Sequence, residues 1–194
     1  MPSLNENEPV HIIDTLAGIE AWLRANTPAT AAELGPPATD SDLDHIRQSL
    51  GLNLPEDLVT LLCWHNGGGD SDMPMTIAPG CGMLSAQAIV KITALNRSVG
   101  GPTTSPSPWK PSWLVIGSTF TDSFLIIETG TRAEDNRHPT GSVFTFNFVD
   151  GAMSRGPAWP AVADTLATML ATLHDGESPE GLPVEVTDDG HLDW

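Results

Sequence analysis

The stretch LGLNLPEDLVTLLCWHNGGG, residues 50–69, sets a cysteine, a tryptophan and a histidine side by side ahead of three glycines. Such a cluster reads as an active site, a metal site or the end of a helix. Pro55 opens a helix at the position where its missing N–H is harmless. Glu56 and Asp57 follow in the first turn, where negative charge suits the helix dipole. Leu58, Leu61, Leu62 and His65 then share one stripe. Asn66-Gly67 falls where a helix C-cap requires left-handed backbone angles, and Asn and Gly tolerate them. The glycines are therefore expected to end a helix. A phosphate loop would follow a strand, precede a helix and carry Lys-Ser/Thr, and GGGD meets none of these conditions.

The chemistry offered by the same stretch is weak. A nucleophilic thiolate needs a base facing its sulfur and a third group orienting that base. Residues two apart on a helix point about 200° apart, so Cys63 and His65 do not face each other. The six histidines (11, 45, 65, 138, 174 and 191) form no i,i+4 pair and no HExxH, and neither Cys63 nor Cys81 sits in a CxxC. Asp70 and Asp72, like Asp40, Asp42 and Asp44, lack the glycine and terminal glutamate of a calcium loop. The expectation is no metal, no cofactor, His65 bonded to a nearby carbonyl, and two buried free cysteines.

Outward from this stretch the chain changes period. Residues 10–25 place Ile12, Leu16, Ile19 and Leu23 on one helical face, and a Pro/Thr/Ala linker breaks that pattern. Thr39 and Asp42 stand in capping-box spacing before a helix through Leu43, Ile46 and Leu50 that stops at Gly51. Residues 70–82 read as an irregular loop with one short strand, and Ser85 as the N-cap of a helix through Ile89, Ile92 and Leu95. The proline-rich segment 100–111 is a loop. WLVIG (113–117) and FLIIE (124–128) are core strands around a turn at Thr121-Asp122. SVFTFNFV (142–149) alternates, with Phe144, Phe146 and Phe148 on one side, and Asp150-Gly151 is a turn. A last helix carries Trp159, Val162, Leu166, Met169, Leu170 and Leu173. Helices, an antiparallel meander and a closing helix define an α+β fold. The chain divides into an N-terminal helix and linker (1–39), a central domain (40–173) and an acidic tail (174–194), where VEV and HLDW offer an edge strand.

The 194 residues suffice for one core without disulfides or metal. No basic, apolar leader opens the chain and no run is apolar enough to span a bilayer, so a cytoplasmic protein is expected. Charge is the sharpest compositional fact: 25 acidic against 8 basic residues, a net −17. Lys91 to Arg155 holds most of the bases, leaving Arg24 and Arg47 for both flanks. Such a field opposes nucleic acid and anionic membrane and speeds encounter with a basic protein, although acidity also simply confers solubility.

Leu50-Gly51, Leu54-Pro55 and Asp57-Leu58, followed by His65-Asn66-Gly67, resemble the opening motif of the SUKH superfamily. Trp113–Ile116, Phe124–Glu128 and Gly141–Phe144 fit the same plan, and the resemblance covers residues 40–173. It implies an intracellular α+β domain without known catalytic residues. Bacterial members are commonly immunity proteins that neutralise polymorphic toxins, often nucleases, and fungal members act by protein contact. The second core strand often ends in aspartate in the family, where this chain has Glu128.

On this reading the protein is a non-enzymatic inhibitor that occludes a basic toxin domain. A general interaction module and a cysteine-dependent hydrolase are the alternatives. The candidate partner-binding residues are Asp70 and Asp72 in the loop behind the glycines, and Glu134 and Asp135 in the polar hairpin loop 130–141. Trp109, beside Lys110 in the proline-rich loop, joins them as an exposed aromatic anchor, with core or loop packing weighed as its ordinary role.

Overall fold

The computed structural model describes residues 11–68, 76–78, 80–99, 109–119, 123–130, 139–148, 152–153, 158–179 and 181–193. Asp70, Asp72, Glu134 and Asp135 lie outside the described residues, as do the turns expected at 121–122 and 150–151.

Four helices come first. Helix α1 (Ile12–Asn26) buries Leu16, Ile19 and Leu23, as its 3.6-residue spacing requires. The Pro/Thr/Ala linker is not wholly irregular: Pro28, acceptable in a first turn, starts the short α2 (Pro28–Ala32). Helix α3 (Asp40–Leu50) opens on the expected capping box. Asp42 N–H donates to Thr39 Oγ1 at 3.3 Å and Thr39 N–H to Asp42 Oδ2 at 2.8 Å. Thr39 Oγ1–H also donates to Asp42 Oδ2, at 2.7 Å, and this bond together with the one from Thr39 N–H holds the Asp42 carboxyl below its usual range. Gly51 ends α3 in left-handed backbone, φ 66°. Helix α4 (Glu56–Trp64) follows, with Pro55 one residue before its first turn.

The sheet is an antiparallel meander in sequence order: β1 (Thr76–Ala78), β2 (Cys81–Met83), β3 (Trp113–Ser118), β4 (Ser123–Glu128), β5 (Val143–Asn147) and β6 (Ala152–Met153). Helix α5 (Ala86–Val99) is inserted between β2 and β3. The 70–82 segment thus supplies two short strands where one was expected. Trp113 pairs with Glu128, Val115 with Ile126, and Ile126 with Phe144, so these side chains share one face of the sheet. The two central apolar runs are buried from Trp113 to Gly117 and from Leu125 to Glu128. Leu95, expected on the inner stripe of α5, is instead 58% exposed. The buried stripe runs through Ala86, Ile89, Thr93 and Asn96, with Thr93 Oγ1 accepting from Val115 N–H at 3.1 Å.

Helix α6 (Val162–Asp175) packs against α1, α4 and β1, and its residues join those of the sheet and helices in one core. The acidic tail does not extend the main sheet. It folds as a separate hairpin of β7 (Glu185–Val186) and β8 (Leu192–Asp193). Two hydrogen bonds moor this hairpin to α2, Leu192 N–H to Thr30 Oγ1 at 2.8 Å and Ala29 N–H to the Gly190 carbonyl at 3.2 Å.

Candidate functional site

The motif of residues 65–67 forms a joint. Helix α4 ends at Trp64, and His65 turns to extended backbone, φ −147°. The C-cap expected at Asn66-Gly67 therefore sits one residue earlier, and among the described residues only glycines have positive φ. The displacement has a physical cause. Extended His65 directs Nδ1 at the Gly35 carbonyl, which only accepts, so Nδ1 carries the proton. Asn66 N–H donates to the Pro36 carbonyl at 2.9 Å, Gly35 N–H to the Gly67 carbonyl at 3.0 Å, and Ala38 N–H to the Leu62 carbonyl at 2.9 Å. Asn66 Oδ1 accepts from Ala86 N–H at 2.7 Å, capping α5 from outside while Ser85 Oγ accepts from Ala88 N–H. Gly67, at φ 76°, lies flat against Ser85; a Cβ there would stand 2.6 Å from Ser85 N. Cysteine, tryptophan and histidine are neighbours because a helix ends there and three segments meet.

Cys63 is exposed and Cys81 buried, which corrects the expectation of two buried thiols. Burial pushes the Cys81 thiol up to about 11, so it is inert near neutral pH. Cys63 opens onto the surface between α1 and α4, whereas the His65 ring is tied to Gly35 and meets Trp64 edge-on at 4.5 Å. These two residues do not assemble a thiol–imidazole pair.

Trp109 is not an exposed anchor. It is buried, its ring edge-on to Trp113 at 5.4 Å and to Phe146 at 5.8 Å. An indole gains more by covering the aromatic face of the sheet than by standing in solvent. Trp113 and Trp159 are core residues, as their stripes required.

Glu128 has an identifiable duty. It is buried, and its two carboxylate oxygens divide two donors: Trp113 Nε1–H reaches Oε2 at 3.1 Å and Gly130 N–H reaches Oε1 at 2.9 Å. The glutamate ties the ends of β3 and β4 together.

An open apolar surface among the described residues escaped the sequence reading. Between α1 and α4 runs a groove of about 450 Å³ lined by Ile13, Leu16, Ala17, Glu20, Val59, Thr60, Cys63 and Trp64. Ile13 is 71% exposed, the most exposed large apolar side chain among the described residues. Glu20 binds the groove together, accepting from Trp64 Nε1–H at 3.0 Å through Oε2 and pairing with Arg24 through Oε1. The signal available was the i, i+3, i+4, i+7 spacing of Ile13, Leu16, Ala17 and Glu20, a second stripe beside the buried one.

Among the described residues no group of three or more His, Cys, Asp or Glu side chains is placed to hold a metal ion. None of the helices there is long and apolar enough to cross a membrane. What the fold and this surface define is an α+β domain whose signature residues build joints and whose open groove is apolar. The family model described as SMI1 / KNR4 family (SUKH-1) matches residues 37–172, and the chain belongs to that family. No curated protein sequence matches the chain. Helix α4 lies inside the matched region and α1 precedes it, so the groove is formed by the family domain and an added helix.

Proposed function

We propose that the protein is a SUKH-type protein-binding domain acting as an immunity protein, neutralising a basic toxin domain by covering it. The observation that carries this reading is family membership over residues 37–172 joined to a net charge of −17. The family's domains are generally non-catalytic. In keeping with that, the stretch richest in reactive side chains is occupied with holding backbone segments together. An acidic surface presented to a basic cleft displaces the nucleic acid that the cleft would otherwise hold, and blockade needs no chemistry from the inhibitor. Asp70, Asp72, Glu134 and Asp135 are proposed to add steering charge, with Asp70 and Asp72 favoured because they follow the packed helix α4 in the sequence.

The test is co-expression with the product of the gene beside this one, the expected toxin. The expected outcome is restored growth, a complex that purifies intact, and an association rate that falls steeply with salt while dissociation changes less. Steering is screened over about 8 Å at physiological ionic strength. Absence of any complex with the neighbouring gene product would remove the immunity reading and favour a general interaction module.

A further inference from the structure

The groove between α1 and α4 has a shape and a charge that restrict what fits it. Its floor and walls are apolar: Ile13, Leu16, Ala17 and Val59, with the flat ring of Trp64 closing one side. Its surroundings are acidic. On α1, Asp14 is exposed and lies beside the Ile13–Ala17 stripe. On α4, exposed Glu56 continues the Val59–Cys63 stripe by one turn. Arg24 is the one basic side chain on the two helices, apart from the exposed His11 before α1, and Glu20 engages it.

We infer that this groove is a docking site for an apolar helical segment of a partner protein, flanked by lysine or arginine. Apolar contact supplies the affinity, as where an amphipathic helix lies in a hydrophobic groove. The acidic rim supplies the choice of partner. Two other occupants are disfavoured by charge. Residues 1–10, which lead into α1, carry Glu6 and Glu8 and no base. A second copy of the chain would bring another net −17 against the first. The inference rests on the reading of the chain as a protein-binding domain and deepens it by naming the surface and the chemistry of its partner. Because α1 lies ahead of the family match, the groove gives this chain a means of choosing a partner that the matched domain alone does not contain.

Cys63 makes the groove testable, since it lines the groove and Cys81 is buried. Two short amphipathic helical peptides with the same leucine face, one flanked by lysines and one by glutamates, serve as probes. Protection of Cys63 from iodoacetamide is followed by intact mass in the full chain. The lysine peptide is expected to protect at concentrations about tenfold or more below those the glutamate peptide needs, an advantage that shrinks with salt. Ile13→Asp or Ala17→Arg, both at exposed positions, should abolish protection without altering the circular dichroism spectrum. Equal protection by both peptides, none from the lysine peptide, or full protection in both variants would overturn the inference. The neighbouring gene product, tested as the toxin, separates the two readings. A complex in which Cys63 alkylates at the free rate sinks the groove and leaves the toxin reading standing. Protection by the lysine peptide without any toxin complex does the reverse.

Discussion

Replacing Gly67 with alanine should cost far more than the same change at Gly51, although both glycines have left-handed backbone. A left-handed L-residue costs about 1–2 kcal/mol, and both variants bear this. Around Gly51 an added Cβ meets nothing within 4 Å. At Gly67 it would stand 2.6 Å from Ser85 N, 3.0 Å from Ser85 Cα and 3.1 Å from the Leu84 carbonyl carbon. All three are backbone atoms, so relief requires moving the start of α5. That movement stretches the bond from Ala86 N–H to Asn66 Oδ1, a cap of about 1 kcal/mol. It also disturbs the packing around Ala86, where overpacking of this kind costs about 1–3 kcal/mol. Gly51→Ala is therefore expected to lose about 1–2 kcal/mol and Gly67→Ala about 2–6. Urea denaturation with unchanged m-values measures both, and each kcal/mol lowers Tm by about 2–4 °C in a chain of this size. Equal losses at the two positions would refute the close approach of the joint to Ser85.

Glu128→Gln, despite its matching shape, should destabilise by about 1–3 kcal/mol, because one acceptor oxygen cannot serve two donors; a neutral result in urea denaturation would end the tie proposed between β3 and β4. A thiol reagent should titrate one cysteine in the native chain and the second only on unfolding, and two fast equivalents would contradict the burial of Cys81. His191 lies 3.2 Å from both Asp189 and Glu33, and hydrogen bonds to these carboxylates, Asp189 foremost, raise its pKa above 6.5. Its support for the docked hairpin is thus complete below 6.5 and fades as pH rises through the higher folded value. An NMR titration should show a midpoint that drops in Glu33→Gln, and an unmoved midpoint would remove the contact between His191 and Glu33.

Periodicity made the elements legible and left their meetings illegible. Leu43, Ile46 and Leu50 announce α3, and Thr39, Asp42 and Gly51 mark its ends, because capping chemistry is local. The alternation of residues 143–147 carries β5 for the same reason. His65 shows where local reasoning stops. Counted along a helix it continues the leucine stripe, but its ring is better satisfied by a carbonyl thirty residues away, and the helix ends one residue earlier to reach it. Residue type alone makes Cys63 a buried thiol, yet it faces the side of α4 that opens onto the groove. The groove itself depended on which helix would lie beside α1, a long-range fact absent from either helix alone. VEV (184–186) and HLDW were legible as strand material, but their pairing with each other instead of the main sheet is a long-range fact.

The same distinction governs what the net charge can do. Several acids are committed to internal duties: Asp42 caps α3, Asp57 accepts from Ala163 N–H at the start of α6, and Glu128 is buried. Glu20 is paired with Arg24, and Asp189 with His191. Substituting these would confuse steering with stability. Among the exposed acids are two separate pairs, Asp14 and Glu56 beside the groove, and Asp175 and Glu177 at the far end of α6. If a basic partner is drawn to the groove, Asp14→Asn with Glu56→Gln should slow association by about twofold to tenfold at low salt, since close charges dominate the final approach. Asp175→Asn with Glu177→Gln removes the same charge from the whole molecule and should slow it much less. Stopped-flow association with a purified basic partner compares the two. Equal slowing would mean that the partner senses only the overall field, and the acidic rim would then have no part in choosing it.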